Sequence, residues 1–519
     1  MDYTLIADNR PLWAILISLA AAVLIMLSSK RPNLRESWTI IAATGKAVIV
    51  FSMLPLVLSG KILESTPLYI AEGIHLHFRA DPTGILFAAL ASFLWLITSF
   101  YTIGYMRSQR EEHQTSFYAC FAVCLSATMG IAFAANLLTF FVFYEILAIA
   151  TYPLVIHKRN DEAVRAGRKY LVYALVAGQL FLVAIVWTQI ISGDASFQAG
   201  GFLAGKASPL ALQAIFVLMI LGAAVKAGIM PLHGWLPSAM VAPTPVSALL
   251  HAVAVVNAGV FAVIRIVGFV FGPRLLSEIG MAAALAWVAS FTIIVSSLIA
   301  LRQDNLKKRL AYSTVSQLSY MILGTCLLTP LGMMGGLFYM TAHSFMKITL
   351  FFCAGAIYAT HHLSEISEMK GIGLKMPYTM AAFTIGSLGI SGLPFIVGFV
   401  GKWNIALGAL QGGKGIFIAV LIGSALLSLS YFMPIVYMAF FQRPNETSAS
   451  DHHELGVTNG GAAVSKYQEV ALIMLIPLLL TTAFSLFLGV FPNLGAGFYD
   501  LASMAANSIT GGNLTGGGW

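Results

Sequence analysis

Three lysines lie inside long apolar runs of this chain, where a charge is costly. Lys226 interrupts LGAAVKAGIMP, Lys347 lies in YMTAHSFMKITLFF, and Lys402 follows the glycine-rich stretch GSLGISGLPFIVGFVG. An ionised side chain at the centre of a bilayer costs roughly 2.5–3.5 kcal/mol on insertion scales, so such residues usually face the interior of a bundle and mark an ion path. The three lysines are therefore candidates for groups that bind and release protons. The alternative for each is a helix-end residue that reaches the membrane surface, or a fixed buried ion pair.

One acidic residue, Glu145, lies deep in an early apolar run, LLTFFVFYEILAIATYPLVI. No lysine lies three or four residues away on the same helix, so its partner must come from another helix. Opposite charges that are brought together each favour the ionised form of the other, and Lys226 is the predicted partner. A proton arriving nearby would loosen this pair, which could therefore act as a charge switch. The alternative is a static bridge that only orients the helices.

Two histidines extend this set of titratable groups. His343 precedes Lys347 by four residues, which places both on one helix face, and His251 lies in SALLHAVAVVNAGVF. Imidazole titrates near neutral pH and can pass a proton onward. A lone histidine in a helix is more often a core residue, so His343, one turn from a buried lysine, is the better candidate for a relay.

Metal and cofactor chemistry has little support in the sequence. The four cysteines, at positions 120, 124, 326 and 353, lack the spacing of zinc, haem or iron–sulfur sites. His452 and His453 lie in a polar loop that offers no second pair of ligands. We therefore predict no metal, no cofactor, and no redox or hydrolytic site in this chain.

The elements that position these residues must be transmembrane helices. The chain has 519 residues, of which 58% are hydrophobic and only 10% are charged, whereas soluble domains carry roughly 25% charged residues. Many apolar runs reach the ~20 residues that cross a bilayer. The sequence predicts an all-α polytopic membrane protein with about fourteen spans. They are expected near 12–29, 39–59, 82–105, 116–134, 136–156, 170–191, 209–230, 245–269, 279–301, 310–328, 331–359, 377–409, 415–441 and 468–492.

The connections and the tail carry further expectations. The segment ILESTPLYIAEGIHLHFRADP shows some strand alternation, a long polar connection runs from 443 to 468, and the glycine-rich tail SITGGNLTGGGW is expected to be loose. Lys46 and Arg265, which lie within spans, could reach the membrane surface with their long side chains.

The distribution of basic residues predicts an orientation. If the first loop, SKRPNLRES, is cytoplasmic, 18 of the 29 Lys and Arg residues fall on the cytoplasmic side and 6 on the other. This asymmetry follows the positive-inside rule and places both termini outside. The net charge of +8 is then mostly an orientation signal and does not indicate nucleic-acid binding.

Two of the predicted spans are interrupted. Spans seven and twelve each contain Gly and Pro beside a lysine, and broken helices of this kind form the ion sites of transporters. They lie five spans apart, which fits two inverted five-helix repeats, spans 4–8 and 9–13. The predicted division is 1–110 (spans 1–3), 111–270 (first repeat), 271–442 (second repeat) and 443–519 (polar loop, last span and tail).

Five stretches together make the chain recognisable: FYEILAIATYPLV, KAGIMPLHGWLPSAMVAPTPVSALLHA, DNLKKRLAYSTVSQLSYM, AHSFMKITLFFCAGAI and GLPFIVGFVGKWN. In these stretches the chain resembles the antiporter-like subunits shared by Mrp-type cation/proton antiporters, respiratory complex I and membrane-bound hydrogenases. Within this group it looks most similar to the D-type Mrp subunits. The resemblance covers nearly the whole chain, most firmly residues 80–440.

The resemblance implies a role for each matched residue. It implies a gating pair, a central relay and a proton carrier on the exit side, and Lys307 belongs to the candidate set through the stretch DNLKKRLAYS. The implied gating pair is Glu145 with Lys226, the relay is His251, His343 and Lys347, and the exit-side carrier is Lys402.

Asn257 departs from the family pattern. Many relatives have a lysine at this position, and asparagine cannot titrate. Either the central relay runs through His251, Lys347 and ordered water, or the path in this chain is weakened.

The expected function is proton translocation, with or without exchange for Na⁺, by one subunit of a multisubunit complex in the bacterial cell (inner) membrane. The partners would be other membrane subunits, protons, Na⁺ if it is exchanged, and the lipid bilayer. One alternative is the proton-pumping subunit of a redox-driven complex, of the NADH–quinone oxidoreductase or hydrogenase kind, whose other subunits carry electrons. The others are the membrane subunit of an energy-coupled inorganic-carbon uptake complex, and a stand-alone carrier of an organic solute.

Overall fold

A computed structural model describes residues 3–71, 74–443, 468–494 and 497–512. Most of the polar connection that begins at residue 443, with His452 and His453, lies outside these ranges, as does the end of the tail. Helices make up most of the described chain. In chain order they are α1 (Arg10–Leu27), α2 (Pro32–Leu58), α3 (Pro82–Ser108), α4 (Gln114–Ala132), α5 (Leu137–Val155), α6 (Asp161–Ser192), α7 (Pro209–Ala227), α8 (Trp235–Ser238), α9 (Thr244–Leu249), α10 (Val255–Arg265), α11 (Pro273–Glu278), α12 (Met281–Leu301), α13 (Leu306–Cys326), α14 (Pro330–His361), α15 (Ile372–Lys375), α16 (Pro377–Ser391), α17 (Val397–Gln411), α18 (Ile416–Phe441), α19 (Leu472–Val490) and α20 (Phe498–Thr510).

The helices confirm the predicted all-α membrane fold. In the described part of the chain, twelve helical segments are long and apolar enough to cross a bilayer. The expected tenth and twelfth spans are occupied by α13 and by the pair α16–α17. α13 is less apolar because Ser313, Thr314, Ser316 and Gln317 lie on it, and all four are buried.

Short strands cover the end of the bundle where α1 and α3 begin. Strand β1 (Thr4–Ala7) pairs in parallel with β2 (Lys61–Glu64), which pairs in antiparallel with β5 (Arg79–Ala80). Strands β3 (Leu68–Ala71) and β4 (Ile74–Leu76) form a separate antiparallel pair. The strand alternation predicted for this segment is confirmed. We call this end of the bundle the strand end. The opposite end, where α3 and α5 finish and α6 and α13 begin, we call the basic end.

Helix α14 occupies the centre of the bundle. It packs against α13, α16 and α17, and also against α3, α9, α19 and α20. The start of the tail belongs to α20 and is not loose. One face of this helix packs on α3 and α14, and its buried residues include Phe498, Leu501, Ala505 and Ile509. The expectation of a loose tail is therefore wrong for residues 508–510, which end α20.

Two basic residues expected to reach the membrane surface are buried instead. Lys46 donates to the Leu125 carbonyl at 2.9 Å and lies 4.4 Å from the centre of the Trp95 ring. Arg265 makes a two-pronged pair with Asp81 at 2.5 and 2.9 Å. The interface interpretation is wrong for both, because each side chain finds a polar partner inside the bundle.

The two predicted helix breaks are present, and at each one the helix is followed by a glycine with left-handed backbone conformation. Gly228, with φ +68°, directly follows α7, and Gly392, with φ +90°, directly follows α16. Side chains rarely adopt this conformation, so glycine permits the chain to leave the helix there. Lys226 lies just before its break, whereas Lys402 lies after its break, in α17.

The eighth span, residues 244–271, is irregular in a way that the sequence did not predict. Wider π-helical turns at Leu250–Ala254 and Ile266–Phe271 flank α10. Such turns are rare and occur frequently at functional sites. His251 lies in the first of them.

Candidate functional site

Lys226 lies in the last turn of α7 and reaches across to α5. Its ammonium donates to the backbone carbonyl of Tyr144 and lies 3.1 Å from the centre of the Tyr144 ring. Gly259 of α10 packs directly on the backbone of Lys226 and Ala227, so any larger residue there would collide with main-chain atoms. The close crossing of α7 and α10 therefore fixes the position of the Lys226 backbone, from which the side chain extends.

Glu145 follows Tyr144 in the sequence, yet in the described part of the chain it forms no direct ion pair with Lys226. Its carboxylate packs instead on Gly178 of α6, where an added methyl group would lie 2.7 to 2.9 Å from carboxylate atoms. The two side chains are close enough to interact electrostatically. The structure thus places the two predicted partners near each other, without a direct ion pair between them.

A buried polar cluster joins α10 to α14. The Asn257 amide donates to the Ser344 hydroxyl at 2.9 Å and to the Ala252 carbonyl at 3.2 Å. Ser344 donates to the same carbonyl at 3.1 Å. Beside it, His343 is fully buried, and neither of its ring nitrogens has a hydrogen-bond partner among the described residues.

The side chain of His251 lies outside the described part of the structure. Its backbone belongs to the π-helical turn that contains Ala252. The histidine therefore lies one residue from the carbonyl that accepts from Asn257.

Lys347 lies near the middle of α14 and is fully buried. Its ammonium donates to the Leu310 carbonyl of α13 at 3.1 Å. In the described part of the chain it pairs with no carboxylate. An amine held by a carbonyl can keep this hydrogen bond whether it is charged or neutral, because both forms carry N–H donors.

This carbonyl is the first of four groups that lie along one face of α13 toward the strand end; we call them the α13 polar stripe. They are the Leu310 carbonyl, Ser313, Gln317 and Tyr320, whose spacing of three and four residues keeps them on one helix face. The stripe is absent from the residues predicted from sequence, although the polar positions in LAYSTVSQLSY carry the helical period.

Neighbouring helices complete the α13 polar stripe. The Tyr431 hydroxyl donates to Ser313 at 2.9 Å, and the Tyr339 hydroxyl donates to the Gln317 side-chain oxygen. The Gln317 amide nitrogen has no partner among the described residues. The stripe is therefore a row of hydroxyl and amide groups inside an apolar core, with at least one unused donor.

Lys402 lies at the far end of the α13 polar stripe. Its ammonium lies 4.5 Å from the centre of the Tyr320 ring and donates to the Ile390 carbonyl of α16 at 2.6 Å. Gly401 packs on Tyr339, eight residues before Lys347 in α14. At ~1.5 Å per residue, Lys402 lies ~12 Å closer to the strand end than Lys347 does.

Lys307 lies at the basic end, in the first turn of α13. It donates to the Ala242 carbonyl at 2.7 Å and lines an open cavity of about 370 Å³. Glu111 interacts with it electrostatically, and the His157 ring, 3.6 Å from the Glu111 carboxylate, holds the pKa of Glu111 below its usual range. This carboxylate is therefore ionised at neutral pH.

The arrangement as a whole is a set of buried amines on carbonyl acceptors, linked by hydroxyls, amides and one imidazole. Titratable groups in such a setting can exchange protons at small separation. Within the described residues, no group of three metal-binding side chains is present.

Comparison with known proteins identifies the class to which this architecture belongs. Residues 134–428 match the family described as NADH:quinone oxidoreductase/Mrp antiporter, transmembrane. The chain is 32% identical over 371 residues to NADH-quinone oxidoreductase subunit N of Desulforudis audaxviator, covering 70% of this chain and 72% of the relative. It is also 32% identical over 396 residues to subunit L of Mycobacterium tuberculosis, covering 74% of this chain and 60% of the relative.

The chain belongs to this family of membrane subunits. Its fold matches a chain of the Mrp complex from Dietzia sp. with a TM-score of 0.84 at 22% identity, over 97% of each chain. The resemblance stated from the five sequence stretches is confirmed.

Proposed function

We propose that this chain is a proton-translocating subunit of a multisubunit membrane complex. The observation that carries the proposal is the row of buried groups from Lys226 to Lys347 and Lys402, each lysine held by a backbone carbonyl. Buried amines without a bound carboxylate can change charge in place, which a fixed ion pair resists. Family membership supports the same function.

Protons reach the buried groups from the basic end, through the cavity at Lys307. Thr244 and the start of the eighth span line this cavity, and the π-helical turn with His251 follows within one to two turns. His251, Asn257 and Ser344 then lead to His343 and Lys347. Asn257 takes part as a hydrogen-bond bridge, because its amide cannot titrate.

Glu145 and Lys226 form the switch beside this route. When Lys226 is protonated, the neighbouring carboxylate is favoured in its charged form, and a proton on Glu145 removes that attraction. The separation of the two side chains, with Lys226 on the Tyr144 carbonyl and Glu145 on Gly178, corresponds to the open position of the switch.

The exit runs along the α13 polar stripe to Lys402 and out at the strand end. Positive-inside asymmetry makes the basic end cytoplasmic, so the strand end and both termini lie outside a bacterial cell (inner) membrane. Residues 111–270 and 271–442 would act as the two inverted halves, since α7 and α17 bring one lysine each to a break. Residues 1–110 and 443–519 flank them.

Reconstitution of the complex in vesicles tests this function. A pH-sensitive dye reports proton flux under an imposed potential, and we expect Lys347→Gln to abolish it at normal subunit levels. Lys375→Gln, at an exposed lysine of α15, is the matched control and should leave the flux unchanged. Normal flux in Lys347→Gln would refute the proposed path. Proton flux driven by a Na⁺ gradient would add Na⁺/H⁺ exchange to the function.

The names of the relatives favour one second candidate, a redox-driven complex in which neighbouring subunits carry electrons. Co-purification decides between the two complexes. Subunits with flavin or iron–sulfur clusters would support the redox-driven complex, and their absence from an active complex would support the antiporter.

A further inference from the structure

A basic cavity of about 470 Å³ opens at the basic end between α6, the chain after α7 and the start of α13. Arg165, Lys169 and Lys308 contribute its cationic side chains, and Glu162 is the one carboxylate among its lining residues. Within the described residues none of the three cations pairs with a carboxylate. The cavity therefore has an uncompensated positive charge that suits an anion.

An apolar groove begins where this basic cavity ends. It has a volume of about 240 Å³ and runs between α6 and α7, with Val176, Leu180 and Leu221 in its lining; we call it the α6/α7 groove. Tyr173 lines the groove, and its hydroxyl lies beside Gly234, which lines the basic cavity. The two spaces are thus neighbours on one surface of the protein.

The change from charge to apolar surface follows the depth of a bilayer. Lys169 and Leu180 are eleven residues apart on α6, which corresponds to ~16 Å along the helix. This is about half the ~30 Å hydrocarbon core. A molecule that fills both spaces must have an anionic head at the membrane surface and a hydrocarbon chain about one leaflet long.

We propose that the basic cavity and the α6/α7 groove bind one anionic phospholipid. Its phosphate lies among Arg165, Lys169 and Lys308, where arginine can hold two phosphate oxygens at once, and basic pockets between transmembrane helices bind such head groups. One acyl chain fills the α6/α7 groove, which Val225 also lines, next to Lys226. This inference stands independently of the proposed proton path.

The charge argument selects the lipid class. A zwitterionic head group would bring its own cation against three cationic side chains, whereas phosphatidylglycerol carries only the negative charge. The groove, at about 240 Å³, suits a single hydrocarbon chain better than a helix 10–12 Å across. A helix of another subunit is the competing occupant of this face.

Native mass spectrometry of the purified, delipidated complex tests the head-group contact. We expect added dioleoylphosphatidylglycerol to be retained at least tenfold more than dioleoylphosphatidylcholine. Arg165→Gln with Lys169→Gln should remove this preference, whereas Arg168→Gln, an exposed arginine of α6 that does not line the basic cavity, should keep it. Equal retention of both lipids by the wild type, or an unchanged preference in the double variant, would overturn the proposal.

A second pair of variants tests the acyl contact. Val176 and Val183 are 57% and 54% exposed on the same face of α6, but only Val176 lines the α6/α7 groove. Val176→Trp should therefore lower phosphatidylglycerol retention at least tenfold, and Val183→Trp should not. If inorganic phosphate alone displaced the lipid fully, the site would be a simple anion site, which would overturn the proposal. If Val176→Cys cross-linked to another subunit in native membranes, the face would be a protein interface, which would overturn it as well.

Discussion

At the scale of single residues, the buried lysines differ from ordinary buried charges in their acceptors. Lys347 and Lys402 donate to the carbonyls of Leu310 and Ile390, and an acceptor that never ionises leaves the amine free to change charge. A carboxylate partner would keep the lysine in its charged form, because neutralising one member of a buried ion pair leaves the charge of the other uncompensated. In the proposed path, proton transfer between the two lysines therefore depends on the polar groups between them.

Gln317 is the central side chain of the α13 polar stripe. Gln317→Leu removes the acceptor of Tyr339 and an amide donor that has no partner among the described residues, so we expect proton flux in vesicles to fall ~100-fold or more, in the range of a lost proton-transfer group. Ser319→Ala is the matched control, since within the described residues this buried hydroxyl donates only to the Val315 carbonyl of its own helix. Equal losses in both variants would mean that α13 matters only for packing.

Lys402 allows a sharper test, because arginine keeps the charge and does not release its proton. We expect Lys402→Arg and Lys402→Gln both to abolish flux while the subunit accumulates normally. A surface anchor would tolerate arginine, so full activity of Lys402→Arg would show that the exit lies elsewhere. Immunoblotting of the membranes provides the control for protein level.

The titratable residues could be selected from sequence alone, but their acceptors could not. A buried charge is visible as a lysine in an apolar run, as at 226, 347 and 402. Its acceptor in each case is a backbone carbonyl, which every residue has, and the choice among carbonyls depends on the rotation of the facing helix. Hydropathy does not determine that rotation, and for this reason the Tyr144 carbonyl could not be predicted as an acceptor. The α13 polar stripe differs, because the helical period of its polar positions is visible in the sequence.

At the scale of elements, the helix breaks were predictable and the π-helical turns were not. Gly228 and Gly392 indicate a break because they can adopt positive φ. The turns around Ala252 arise instead from tertiary packing against α14, where Ser344 and Asn257 share the Ala252 carbonyl. Local propensity contains no signal for such a shared acceptor.

The crossing of α7 and α10 can be tested at Gly259. A methyl group there would meet backbone atoms of Lys226 and Ala227, so Gly259→Ala should destabilise the fold by about 1–3 kcal/mol, as overpacking does. Gly423→Ala is the control, because its methyl group would meet only Ile294 at 3.8 Å. Thermal loss of the monodisperse peak in detergent should occur at lower temperature for Gly259→Ala alone. Equal midpoints would show that the crossing can relax.

At the scale of the whole molecule, the uneven charge of the two ends predicts which end of the proposed proton path faces the cytoplasm. The basic end contains the cavity at Lys307 and the basic cavity at Arg165, and the strand end receives Lys402 through α17. The predicted sidedness depends on the basic residues of the loops, whose distribution acts during membrane insertion and is insensitive to tertiary packing. Sidedness is therefore the global property that sequence should predict best.

Two exposed lysines at opposite ends test that sidedness. Lys206 precedes α7 at the strand end, and Lys375 ends α15 at the basic end. We expect a membrane-impermeant maleimide to label Lys206→Cys in intact cells and to label Lys375→Cys only in inverted vesicles. The native cysteines at 124, 326 and 353 are buried, and the unsubstituted chain measures the background from Cys120. Labelling in the opposite pattern would reverse the direction of the path, because uptake at Lys307 and release at Lys402 would then exchange sides.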